Sequence, residues 1–116
     1  MVELQNKLIG LAKIVGITPE DNATFDGAGN LIIDSSFDNY EVWSPLNFQA
    51  DCADMIDALK ISTMFYHSDS YVTCTILTPT GQALSHVEFY SEHGGDVSKA
   101  KRYAATIVAL NRVAYE

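Results

Sequence analysis

Three runs rich in β-branched and aromatic residues, 61–66, 71–77 and 83–90, follow one another with only short turn-forming segments between them. His67-Ser68-Asp69-Ser70 joins the first two. Thr78-Pro79-Thr80-Gly81 joins the second two, with proline at the second turn position and glycine at the fourth. Links this short leave no room for a crossover, so the runs are expected to form a three-stranded antiparallel meander. In the middle run Val72, Cys74 and Ile76 alternate with Tyr71, Thr73 and Thr75. That alternation predicts one buried face and one partly polar face. Such a meander cannot stand alone; helices elsewhere in the chain must cover its apolar side.

The rest of the chain supplies them. Over residues 2–15, Leu4, Leu8, Leu11 and Val15 recur at helical spacing, with Ile9 and Ala12 widening the stripe. Gly16 and Pro19 mark its end. A second helix is predicted over residues 47–60, with Cys52, Met55, Ile56 and Leu59 on one face. Asn47 is the expected N-cap, and Asp51 early and Lys60 late suit the helix macrodipole. The third, capped by Asp96 or Ser98 and reaching about residue 115, carries Ala100, Tyr103, Ala104, Ile107, Leu110 and Ala114. Its alanines predict close packing against the sheet or another helix. Between the first two helices, Asp26-Gly27 and Gly29-Asn30 are turn dipeptides. Leu31-Ile32-Ile33 and residues 40–43 then read as two short pairing strands, ended by Ser44-Pro45. The order is α-β-β-α-β-β-β-α, an α+β fold. A chain of 116 residues fits one domain, with the N-terminal helix as an extension.

Charge is the second constraint. Fifteen acids oppose seven bases, a formal net charge of −8. Between Lys13 and Lys60 there is no lysine or arginine, while that stretch holds Glu20, Asp21, Asp26, Asp34, Asp38, Glu41, Asp51, Asp54 and Asp57. Such a balance repels nucleic acid and anionic membranes and attracts basic protein surfaces, although net charge also simply keeps small proteins soluble. Asp34, Asp38, Glu41, Asp51, Asp54 and Asp57 are the expected partner-contacting residues. Trp43, the single tryptophan, joins them as an interface hot spot or else serves as a core anchor.

No complete catalytic motif is present. His86 and Glu88 share a strand face and His93 follows closely, but a metal needs a third or fourth converging ligand, and no metal-binding motif occurs. Cys52 and Cys74 sit in apolar registers, as buried free thiols rather than nucleophiles or a disulfide framework. Gly27-Ala28-Gly29 and Gly94-Gly95 match neither a phosphate loop nor a dinucleotide fingerprint. No cofactor is expected. No apolar run approaches the roughly 20 residues that span a bilayer, and no signal-like segment opens the chain, so a cytoplasmic protein is expected.

Trp43-Ser44-Pro45-Leu46, then Asp51, Ala53 and a helix ending Leu59-Lys60-Ile61, form a recognisable pattern. With the strand before the tryptophan, the meander, and the closing run from Tyr103 to Arg112, it resembles the phage ABA sandwich domain, a family of small uncharacterised bacteriophage and prophage proteins. The resemblance covers roughly residues 31–114 and departs at Leu46-Asn47-Phe48-Gln49, where the family pattern is more acidic or polar. It implies a phage or prophage origin, a site in the bacterial host cytosol, and no established catalytic residues. The functional expectation is a non-enzymatic acidic module that binds a basic host protein, such as an anti-CRISPR-like inhibitor covering a positively charged nucleic-acid channel. The alternative is a structural, self-associating accessory protein, a homodimer, with the alanine-rich last helix as the candidate surface.

Overall fold

The computed structural model describes residues 2–21, 23–38 and 40–115. Its elements are α1 (Val2–Ile14), β1 (Leu31–Asp34), β2 (Glu41–Trp43), α2 (Gln49–Leu59), β3 (Ser62–Tyr66), β4 (Tyr71–Leu77), β5 (Ala83–Phe89) and α3 (Val97–Val113). Single 3₁₀ turns at His67–Asp69 and Tyr90–His93 complete the described order. The expected α+β order is observed, with β1 and β2 forming a sheet of their own.

β3, β4 and β5 form the antiparallel meander in the order of the sequence. Thr63 and Phe65 lie opposite Cys74 and Val72, and Ile76, Cys74 and Val72 lie opposite Leu84, His86 and Glu88. Cross-strand partners share a face, so these residues form the inner face. Val72, Cys74 and Ile76 are essentially fully buried there.

α3 runs across β4 and β5 on that face, and α1 and α2 pack on its other side. A helix between two layers must be apolar around most of its circumference, which accounts for its composition. Ala100, Ala104, Ala105, Val108 and Ala109 are completely buried, and their small side chains allow close backbone approach. The alanine-rich face of this helix is therefore at the centre of the core, covered by the sheet and by α1 and α2. α1 adds Leu8, Leu11 and Ala12 to the same core, so it is an integral layer rather than an extension.

Both predicted signals at the ends of α2 need correction. The N-cap residue is Phe48, without a side-chain cap, and not Asn47. The Asn47 side chain is drawn away to Asn30 Oδ1 (2.6 Å) and the Ala28 carbonyl (3.3 Å) in a distant loop. Lys60 is not in the last turn but follows it as the C-cap, left-handed at φ 55°, its N–H closing onto Ile56 and Asp57 carbonyls. α3 is capped by Asp96, whose carboxylate accepts the Lys99 N–H at 3.0 Å.

Candidate functional site

The β1–β2 hairpin is held by carboxylates that bond the backbone. Asp26 accepts the N–H groups of Ala28 and Asn30, both at 2.9 Å, and the Asn30 side-chain amide at 3.0 Å. The Asn30 backbone donor contributes most to holding Asp26 below the usual carboxylate range. Glu20 reaches across the loop to take the Ser35 N–H (2.8 Å) and hydroxyl (3.1 Å). Asp34 accepts the Ser36 N–H at 2.9 Å, and that donor lowers its pKa too.

Asp34 faces Glu41 across the two strands, beyond a bulge between Ile32 and Asp34. Asp38 is exposed in the connection between them, beside fully exposed Phe37. Asp34, Asp38 and Glu41 are thus brought together at the loop end of one hairpin. Of the two strands' residues, Leu31 and Trp43 turn into the core.

Asp51, Asp54 and Asp57 form a second group. Steps of three residues turn a helix back by about 60°, so the three spread over roughly a third of its circumference. Asp51 lies at the edge of the buried stripe of Cys52 and Met55; Asp54 and Asp57 are exposed. Asp51 accepts the Ser44 N–H at 2.9 Å, which ties α2 to the residue after β2. Burial raises the Asp51 pKa; the Ser44 N–H opposes the rise and the neighbouring Asp54 charge adds to it. None of the described carboxylates from Glu20 to Asp57 is paired with a lysine or arginine among the described residues. Arg102 instead donates to the Leu46 carbonyl and Ser98 hydroxyl, both at 2.9 Å, and Arg112 donates to the Leu77 carbonyl at 3.0 Å.

Trp43 does not belong with them. It is 3% exposed and anchors the hairpin to the core, so it presents no surface to a partner. Beside it lies a cavity of about 200 Å³, lined partly by Leu4, Leu8, Phe25 and Tyr103.

A third cluster joins β5 to α3. Glu88 is held by both neighbouring imidazoles: His86 Nε2 lies 2.5 Å from one carboxylate oxygen and His93 Nε2 lies 2.7 Å from the other. The His93 ring packs on Tyr103 with centroids 4.6 Å apart. Burial pushes the Glu88 carboxyl up, but hydrogen bonds from His93 and His86, and their charges, outweigh it and leave the pKa lowered. With each oxygen engaged by a different imidazole, the cluster fastens the end of the sheet to α3. Among the described residues no group of three or more His, Cys, Asp or Glu side chains is placed to hold a metal ion. Cys52 and Cys74 are buried free thiols; burial raises both, Cys52 to about 11.

One surface received little weight from the sequence. The outer face of the meander carries Met64, Tyr66, Leu77, Val87 and Phe89, all substantially exposed. Its signal was the break in alternation at Met64-Phe65-Tyr66, three consecutive apolar residues on one strand. No family model, curated protein or solved structure matches the chain. No helix among the described residues is long and apolar enough to cross a membrane.

Proposed function

We propose that the protein is a non-enzymatic binding module whose acidic half docks onto a basic protein surface. One observation carries this reading: the exposed carboxylates of the hairpin end and of outer α2 have no lysine or arginine partner among the described residues. Unneutralised carboxylates on the hairpin and on α2 produce a negative potential that steers cationic partners and disfavours nucleic acid. The buried, pKa-raised thiols and the doubly engaged Glu88 support a role in binding rather than catalysis. The resemblance to the phage ABA sandwich family extends the reading to a phage or prophage protein acting in a bacterial cytosol. In that setting the partner is a host defence protein with a positively charged nucleic-acid channel, which this module occupies as an inhibitor.

The test is capture from bacterial lysate by the wild-type protein and by a variant carrying Asp38→Lys, Glu41→Lys, Asp54→Lys and Asp57→Lys. The wild type should retain a basic nucleic-acid-binding protein at low salt and release it as salt rises, and the variant should retain none. Equal retention by both proteins, or no partner at low salt, would sink the proposal.

A further inference from the structure

β3 is the least covered strand of the meander. It lies at a sheet edge, and α3 crosses β4 and β5 but barely reaches it. Met64 is 58% exposed on the outer face, Phe65 40% on the inner face and Tyr66 38% on the outer face again. Three consecutive exposed apolar residues on an uncharged edge strand, without proline, are what soluble proteins usually avoid unless the strand pairs. The other edge, β5, is guarded: it carries His86 and Glu88, and α3 covers its inner side.

We propose that β3 pairs antiparallel with β3 of a second copy, joining two meanders into one six-stranded sheet around a two-fold axis. A second copy is favoured by charge. The chain is strongly acidic, yet Ser62–Tyr66 carries no charged residue, so two copies approach here without opposing carboxylates. An axis through Met64 sets Ser62 opposite Tyr66 of the second copy, keeping outer faces on the same side. Lys60 precedes the strand and Asp69 follows it, so antiparallel pairing brings Lys60 of one copy to the strand end that carries Asp69 of the other. Lys60 and Asp69 are both exposed, and neither has an ion-pair partner among the described residues. Two-fold symmetry uses this complementary pair twice. One strand pair gives a small interface, so the dimer is weak and depends on concentration.

Sedimentation equilibrium from low micromolar to submillimolar protein, with circular dichroism as the folding control, tests this pairing. The wild type should show a reversible monomer–dimer equilibrium. Met64→Lys, which sets two cations against each other on the axis, should weaken it at least about tenfold. Lys60→Glu and Asp69→Lys should each weaken dimerisation, and together restore it. Val87→Lys, on the outer face away from β3, should leave it unchanged. A wild type that stays monomeric overturns the proposal and leaves the edge to an extended segment of another protein. A dimer insensitive to Met64→Lys but broken by Val87→Lys also overturns it, in favour of face-to-face stacking.

Discussion

Thr106 lies within α3, is 0% exposed, and its Oγ1 has no hydrogen-bond partner among the described residues. In the unfolded chain that hydroxyl is solvated by water; in the fold it is desolvated with nothing in return, at a cost of about 1–3 kcal/mol. Valine has nearly the same shape, the same β-branching and a similar helix propensity. Thr106→Val should therefore stabilise the protein by about 1–3 kcal/mol, against the usual direction of core substitutions. For a chain of 116 residues each kcal/mol moves the midpoint by about 4 °C, so calorimetry should record a rise of about 4–12 °C. Urea unfolding should show a higher midpoint with an unchanged slope. Thr106→Ser supplies the control: it keeps the hydroxyl, removes a buried methyl, and should destabilise by about 1 kcal/mol. A Thr106→Val protein no more stable than the wild type would refute the reasoning, because the hydroxyl would then have to be satisfied in the folded state.

Trp43→Ala should cost about 3–5 kcal/mol in urea unfolding, as for other large-to-small core changes; a loss under about 1 kcal/mol would contradict its role as anchor. Lys60→Gly should raise stability by up to about 1 kcal/mol, since a residue with a Cβ is held at φ 55° there; thermal unfolding reads the sign. Cys52 and Cys74 should resist a thiol reagent in the native protein at mildly alkaline pH and react fully in denaturant; rapid native labelling would contradict their burial. Glu88 has a folded-state pKa below its ordinary value of 4.5, so its stabilising contribution is complete above that value and is lost as pH falls through the lowered one. Urea unfolding as a function of pH should therefore show a steeper acid loss for the wild type than for Glu88→Gln, and identical profiles would count against the imidazole–carboxylate cluster.

Local signals carried the secondary structure far. Alternation at Tyr71–Leu77 and the turns on either side are properties of a few adjacent residues, and β4 forms with the expected bounds and buried face. Asp96 caps α3 because a short carboxylate three residues before a free N–H needs no distant help. Asn47 failed as a cap for the opposite reason: its amide found Asn30 and Ala28, whose proximity depends on how the loop returns to the hairpin. The spacing of His86 and Glu88 placed them on one face, but the turn at Tyr90–His93 brought the second imidazole to the same carboxylate.

The amino-acid sequence by itself determined the element order, the meander, the buried thiols and the base-free acidic stretch, because period, turn chemistry and charge are written residue by residue. Only the tertiary structure decided that α3 lies between two layers, that Trp43 is enclosed, that Asp26, Asp34 and Asp51 brace loops, and that β3 is left bare. Those outcomes depend on which surfaces meet across long stretches of chain, and burial and hydrogen-bond partnership exist only once they have met.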